Sequence, residues 1–464
     1  SFSLRNDTSR FTLKSTQNEV YVSSKNDTSL DQTVGCNINA PSQCLIPSDE
    51  GKWYHDSRNL LKLAELQEAG FGSVALLLAT ATSLYLANSG SQTAWLNFWS
   101  SSVGPTIGGH ALSVRGWVNE GLMAIFFFVV GLEIKQELRQ GSLASVQQAL
   151  LPCIAACGGM IVPMLVYALA QGSLAGGSLA GLAIPMATDI AFAMAIFGFF
   201  RGRMPAASST FLLTLATVDD LGAIIVLATC FSSSIAFKFL GSAALLTLSL
   251  AGLCQRRVAD IRIYAAGGAA IWWSLLRAGV NADIAGVLCA LCISTKAEVT
   301  DSNGQSSNFV NELIVRISPL TTFFVMPMFA LANTAVPLGS LSPGATSAMP
   351  ISVGIALGLL LGKPLGIFGS TWLATKLGVA RMPDGMQLNH LGIVSMLGAV
   401  GFTMCLLLAE VSLPALLQPI PKLAILLSSV AASLISAAAM WRLPLTPNNP
   451  PVVEDEIISS LALG

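Results

Sequence analysis

Charged residues are scarce in this sequence of 464 residues. Lys, Arg, Asp and Glu together make up 11% of it, whereas soluble globular proteins contain about 25%. The net charge is −1, so there is no excess of positive charge with which to bind nucleic acid. Hydrophobic residues make up 53% of the chain, and its mean hydropathy is +0.67. This composition excludes an ordinary soluble domain and indicates a polytopic membrane protein.

Residues that usually hold metals are also few or badly placed. The three histidines, His55, His110 and His390, lie in the polar N-terminal segment or at the ends of apolar runs. Most of the nine cysteines fall in or beside apolar runs, where cysteine packs as a small hydrophobic residue. Cys289 and Cys292 have the spacing of a zinc or redox motif, but no histidine or second cysteine pair lies near them in the sequence. We therefore expect packing cysteines and no cofactor.

The hydrophobic pattern predicts three regions. Residues 1–58 are rich in Ser, Thr, Asn, Asp and Gln without a hydrophobic period, which is typical of a disordered polar tail. Residues 59–442 form the predicted transmembrane domain, which opens with an amphipathic stretch at Leu60 to Ala69. Residues 443–464 are predicted to be a C-terminal tail.

The transmembrane domain contains about twelve apolar runs of spanning length. They cover residues 71–88, 117–134, 150–170, 179–200, 207–232, 235–254, 263–279, 281–295, 319–338, 350–375, 388–410 and 421–441. The fold class is therefore all-α, with about 12 transmembrane helices. Most Lys and Arg residues near these runs fall on the side that holds the N-terminus, and the other side has only Arg115, Lys238, Arg277 and Lys422. This bias predicts that both termini are cytoplasmic.

Two neighbouring carboxylates, Asp219 and Asp220, lie in the middle of an apolar run. A charged side chain at mid-membrane costs at least about 2.5–3.5 kcal/mol, so an adjacent pair requires a cation, a proton or a counter-charge. Lys363 lies inside another run, and an intramembrane Asp is its natural partner. The alternative for Lys363 is that its ammonium extends to the membrane surface.

A third buried acid, Asp189, follows Thr188 in a run that contains Pro185 and Gly181. Proline removes a helical hydrogen bond, so this fourth span is predicted to break near Thr188 and Asp189. The eleventh span has a similar weakness at Gly392, Gly398 and Gly401. Two interrupted spans in comparable places indicate a transporter with inverted-topology repeats whose broken helices meet at mid-membrane.

Seven motifs in one order carry a family resemblance. They are GLMAIFFFVVGLEIKQELRQGSLAS (121–145), GGMIVP (158–163), ATDIAFA (187–193), DDLGAII (219–225), AGV (285–287), GKPLGI (362–367) and GFTM (401–404). The chain resembles the NhaA-type sodium/proton antiporters of bacteria from about residue 60 to about 442, and these antiporters are themselves a standard example of the inverted-repeat fold.

The resemblance implies roles for individual residues. Asp220 is implied to be the principal sodium ligand, and Asp219 its neighbour in proton exchange and a second sodium ligand. Lys363 is implied to pair with Asp219 in one protonation state. Thr188 and Asp189 match the crossing of the two broken helices, where the acid offsets helix amino-terminal dipoles.

The cytoplasmic motif departs from the family pattern. Glu133, Lys135 and Glu137 match residues of a cytoplasmic funnel or of pH regulation, but Gln136 stands where well-studied members have Arg. The segment Asn311 to Pro319 also lacks the His of those members. We therefore expect transport to be retained and its pH activation to differ.

The favoured hypothesis is a transporter, not an enzyme. It exchanges sodium or lithium for protons and serves pH and sodium homeostasis. The cation and the protons compete for buried carboxylates that open to one side of the membrane at a time. The family resemblance implies that the exchange is electrogenic. An intramembrane aspartyl protease would need facing aspartates and a GxGD-like motif, which this sequence lacks. A sodium-coupled symporter for organic anions is the other alternative.

The expected partners are the transported ions and the lipid bilayer, and a homodimer is left open. The expected location is the bacterial inner membrane. A plastid membrane is the alternative location because of the long leading tail.

Overall fold

A computed structural model shows the architecture of the chain. It describes residues 3–6, 9–16, 19–25, 34–37, 71–107, 110–231, 236–256, 258, 260–295, 298–300, 306–337, 348–383 and 385–444. The chain divides into two units, Ser1–Asn59 and Leu60–Gly464. The predicted amphipathic stretch at 60–69 and the C-terminal tail beyond residue 444 lie outside the described residues.

The first unit contains a four-stranded antiparallel sheet in chain order. Its strands are β1 (Ser3–Asn6), β2 (Ser9–Thr16), β3 (Glu19–Lys25) and β4 (Val34–Asn37). This sheet differs from the expectation of a disordered tail over residues 1–58. β2 and β3 contain residue types that favour strands, namely Thr, Val, Phe and Tyr. The polar composition of the segment outweighed this strand propensity when the tail was predicted. The remaining residues of this unit lie outside the described ones, and the predicted three-part division of the chain stays a prediction.

The second unit is helical. Its helices in chain order are α1 (Phe71–Ala87), α2 (Gln92–Ser100), α3 (Val114–Arg139), α4 (Val146–Ser173), α5 (Ile190–Phe199), α6 (Ala206–Cys230), α7 (Phe237–Gln255), α8 (Ile261–Ala278), α9 (Ile284–Leu291), α10 (Phe309–Asn333), α11 (Met349–Lys376), α12 (Leu388–Leu397), α13 (Phe402–Ser412) and α14 (Pro419–Trp441). Short 3-10 turns cover Ser142–Ala144, Leu179–Gly181, Ile184–Met186, Arg201–Arg203 and Ala415–Leu417. Two hairpins, β5 (Ser102–Ile107) with β6 (His110–Ser113) and β7 (Glu298–Thr300) with β8 (Ser306–Asn308), join helices.

The helices confirm a polytopic membrane fold. Among the described residues, eight helical segments are long and apolar enough to cross a membrane, or up to ten if each of two bent helix pairs is one span. The count is lower than about twelve partly because the run at 281–295 yields only α9, which is eight residues long. In addition, α8 is not among the eight, although the run at 263–279 predicted it.

Besides the bend of 115° between α1 and α2, two spans of the described residues contain breaks in their helices. The fourth runs through two 3-10 turns and an extended segment at residues 187–189 before α5 begins at Ile190. The other is the pair α12 and α13, which is bent by 44°. The Asp189 backbone N–H donates to the Val400 carbonyl at 2.7 Å, so the two interruptions meet. The relation between inverted repeats stays a prediction.

Close backbone contact fixes α4 against α11. A Cβ atom on Gly158 would lie 2.5 Å from the Gly366 carbonyl oxygen, and a Cβ atom on Gly366 would collide with the Gly158 carbonyl. Only glycine permits this approach. The contact holds α11, which carries Lys363, beside α4, the third span.

Candidate ion-binding site

Asp219 and Asp220 lie on one uninterrupted helix, α6, and each side chain is 1% exposed. Consecutive residues of a helix point about 100° apart, so the two carboxylates reach different neighbours. They do not face each other across two helices, as the carboxylates of an aspartyl protease would.

Asp219 faces the buried lysine. The Lys363 Nζ atom lies 2.6 Å from Asp219 Oδ2, and Lys363 is fully buried. The Thr188 hydroxyl lies 2.7 Å from the same oxygen and 2.9 Å from the Gly398 carbonyl. Lys363 also donates to the Met186 carbonyl, where the helical turn of the fourth span ends. The ammonium thus interacts with both a carboxylate and a carbonyl left free by the break.

Asp189 joins the two interrupted spans. Its Oδ1 atom accepts a hydrogen bond from the Phe192 N–H at 3.0 Å, which caps the amino end of α5. Its Oδ2 atom accepts from the Thr403 N–H at 3.1 Å and from the Thr403 hydroxyl at 2.5 Å. Sequence reasoning gave Thr403 no role, although GFTM was among the motifs. A hydroxyl directly after a predicted glycine break was the signal that could have identified it.

Asp220 faces a cavity of about 910 Å³. Its Oδ1 atom is enclosed and has no hydrogen-bond partner among the described residues. Polar and acidic side chains line the cavity: Asp220, Asp189, Thr217, Thr403, Glu133 and Glu137. The cavity also reaches Arg201 and Gln136, at the ends of their helices. Asp220 is therefore the acid of the adjacent pair that is open to a small ion in the cavity.

The three residues of the cytoplasmic motif lie in different surroundings. Glu133 and Glu137 line the cavity, and Glu137 Oε1 accepts from the Ser142 N–H at 2.8 Å and from the Thr214 hydroxyl at 3.1 Å. Lys135 does not line it. The Lys135 ammonium donates to carbonyls at the carboxyl end of α9, including that of Leu291 at 2.6 Å. This contact satisfies free helix-end carbonyls and links α3 to α9.

The donor set suits a hard monovalent cation. Carboxylate, hydroxyl and carbonyl oxygens surround the cavity end at Asp220 and Asp189, and such oxygens favour hard cations. Because Asp220 has no counter-charge of its own among the described residues, a cation or a proton must neutralise it inside the membrane. Either ligand would occupy the same oxygens.

Comparison with known proteins gives a consistent result. The profile of the family described as Na+/H+ antiporter 1 matches residues 64–440. The chain is 40% identical over 402 residues to the Na(+)/H(+) antiporter NhaA of Caulobacter vibrioides, which covers 86% of this chain and 94% of the relative. It is 39% identical over 381 residues to Na(+)/H(+) antiporter NhaA 2 of Rhodococcus jostii, covering 81% of this chain and 92% of the relative. A Yersinia pseudotuberculosis Na(+)/H(+) antiporter NhaA is 38% identical over 383 residues, covering 81% and 95%.

Proposed function

Because this chain belongs to the Na+/H+ antiporter 1 family, we propose that its sodium/proton exchange passes through Asp220, which lines the cavity. The observation that carries this assignment is that Asp220 lines the cavity and has no ion pair among the described residues, whereas Asp219, whose Oδ1 atom is also without a hydrogen-bond partner, is paired with Lys363 and does not line the cavity. Asp189 and the hydroxyl of Thr403 lie at the same cavity and supply further oxygens. Thr188 and Asp219 lie behind them, and Asp219 becomes a sodium ligand only if its bond to Lys363 opens.

Exchange follows from competition between sodium and protons. A sodium ion that binds Asp220 makes protonation of the same oxygens unfavourable, and a rising proton concentration displaces the ion. Competition alone gives no transport, so the site must open to one side of the membrane at a time. Lithium, which is also a hard monovalent cation, fits the same oxygens.

Lys363 compensates charge in this mechanism. It neutralises Asp219 while the cation site is empty, and the pair is buried enough that losing either partner would leave an uncompensated charge. Protonation of Asp219 would free the ammonium to repel a cation at Asp220. This coupling supports the expectation that more protons move inward than sodium ions move outward, so that transport is electrogenic.

The cavity gives the proposed inner entrance. It extends toward Arg201, Gln136 and Glu137 at helix ends, on the side where the basic residues of the sequence are concentrated. This agrees with cytoplasmic termini and with a multi-pass protein of the bacterial inner membrane that serves pH and sodium homeostasis. The homodimer stays a prediction.

A transport assay tests the assignment. Asp220→Asn in proteoliposomes is expected to abolish proton movement after a sodium jump, followed with a pH-sensitive dye. Asp260→Asn is the control, because Asp260 only caps the exposed amino end of α8. A folded Asp220→Asn variant with unchanged exchange would refute the role of Asp220.

A further inference from the structure

A second pair of acids lies away from the cavity: Glu120 on α3, which is partly buried, and Asp283 in the turn before α9, which is buried. The helices α3 and α9 run side by side in the same direction. A Cβ atom on Gly286 would collide with the Ala124 carbonyl, and a Cβ atom on Gly131 would lie 2.8 Å from the Ala290 side chain. Ala124 of α3 therefore packs against Gly286 of α9. Further along α3, Gly131 packs against residues 287–290 of α9.

The same register places Glu120 beside Asp283. One turn before Ala124 and Gly286 lie Glu120 and Ala282, and the Ala282 backbone contacts the Glu120 carboxylate. Asp283 follows directly in the chain, and the helix register therefore places its carboxylate near that of Glu120, where the two charges repel each other. The Trp272 indole N–H fixes this turn of α3 from the other side by donating to the Glu120 carbonyl at 2.7 Å.

Neither carboxylate has the partners that a buried charge requires. Asp283 is 2% exposed and its Oδ1 atom has no hydrogen-bond partner; Glu120 Oε2 is also enclosed and without a partner. Within the described part of the chain, no ion pair includes either residue. Two cations lie on adjoining elements: the Arg277 guanidinium lies 5.0 Å from the Phe239 ring centre, and Arg115, on α3, forms no ion pair with either acid.

We propose that Glu120 and Asp283 form a proton-binding site in which the two carboxyl groups share one proton. Two carboxylates held together away from water cannot both be ionised cheaply, and one shared proton lets an acid donate to its neighbour. A metal ion would need further oxygen ligands, and neither residue lines the cavity of about 910 Å³. The site is therefore separate from Asp220 and does not depend on the proposed sodium path.

Counting protons tests the site. The purified chain is titrated in detergent from pH 5 to pH 8, above the pH near 4 at which isolated carboxyl groups ionise in water. Asp283→Asn and Glu120→Gln are each expected to release one proton fewer per chain than the parent. The double variant is also expected to release one fewer, because the two carboxyl groups share a single proton. Asp260→Asn should release as many as the parent.

The same variants distinguish the other outcomes. A loss of two protons in the double variant would mean two independent acids, and no loss in any variant would mean that the pair exchanges no proton between pH 5 and pH 8; either result overturns the proposal. Because the folded pair binds a proton that the unfolded chain releases, the melting temperature of the parent should fall more steeply with rising pH than that of Asp283→Asn. Sodium exchange by Asp283→Asn is measured separately, so failure of this site leaves the role of Asp220 untouched.

Discussion

The Lys363 ammonium and the Asp219 carboxylate lie 2.6 Å apart, and both are almost wholly enclosed. Asp220, the next residue, has no such partner among the described residues and faces the cavity. The two acids of one motif are thereby given different surroundings: one is neutralised by the protein and the other is left for a ligand.

Replacing Lys363 by Met should destabilise the protein by about 3–5 kcal/mol, because Asp219 would remain as an unpaired buried charge. The measurement is the free energy of unfolding in detergent solution. Lys376→Met is the matched control: its ammonium lies 4.7 Å from the Trp372 ring centre at an exposed position, where the loss is about 1 kcal/mol or less. Adding Asp219→Asn to Lys363→Met should restore much of the stability, and equal stability of the two lysine variants would contradict the prediction.

Thr403→Val should weaken sodium binding by about tenfold or more. Valine keeps the shape of threonine but removes the hydroxyl that donates to Asp189, and a hydrogen bond to a charged group contributes about 1.5–3 kcal/mol. Sodium affinity is measured by calorimetry. Thr403→Ser should restore the parent affinity, and a valine variant that binds like the serine variant would show that the hydroxyl does not position Asp189.

Sodium affinity should fall as the pH falls. If one proton is displaced for each sodium ion, the dissociation constant for sodium rises about tenfold for each unit by which pH decreases. Calorimetry in two buffers with different ionisation enthalpies gives the number of protons released. A sodium affinity independent of pH, with no proton release, would be incompatible with competition at Asp220.

Gly158→Ala should destabilise the protein by about 1–3 kcal/mol, because the added methyl group meets the Gly366 carbonyl and the Ser370 side chain. Gly172→Ala is the control, and its change in stability is expected to have the opposite sign, because nothing lies within 4 Å of a Cβ atom added there. Alanine favours a helix over glycine by about 0.5–1 kcal/mol, so the control should be slightly stabilised. Thermal unfolding of both variants measures the difference.

Asn119 and Asn333 should show energetic coupling. Each side-chain amide donates to the other's oxygen, at 3.2 and 2.7 Å, across 214 residues. A double-mutant cycle with Asn119→Ala and Asn333→Ala is expected to give an interaction energy of about 0.5–3 kcal/mol. If the double variant loses the sum of the unfolding free energies lost by the two single variants, the two asparagines are not coupled.

The acids and the breaks were predictable because their signals are local. Asp219, Asp220 and Lys363 are charges inside apolar runs, Pro185 lacks the N–H that a helix needs, and Gly398 lowers helix propensity. Which acid of the pair faces Lys363 depends on the rotation of α6 against α11. The family resemblance implied Asp219 as the partner of Lys363, as the structure has it, but nothing within the motif DDLGAII itself determines that rotation.

Other features required the tertiary structure. Thr403 reaches Asp189 from 214 residues away. The resemblance associated Lys135 with the cytoplasmic funnel or with regulation, and the structure shows its ammonium donating to carbonyls at the carboxyl end of α9. That helix ends at Leu291, and the apolar run 281–295 did not reveal this early end. Glu120 and Asp283 are brought together by two glycines whose close contact has no sequence signature of its own.

The glycine contact between α4 and α11 has a mechanical consequence. Helices whose backbones touch at Gly158 and Gly366 cannot slide past each other without a collision, so they must move as one rigid piece. The positive charge of Lys363 belongs to that piece. Any rearrangement that displaces α11 must therefore carry α4 and the enclosed ammonium along as a single body.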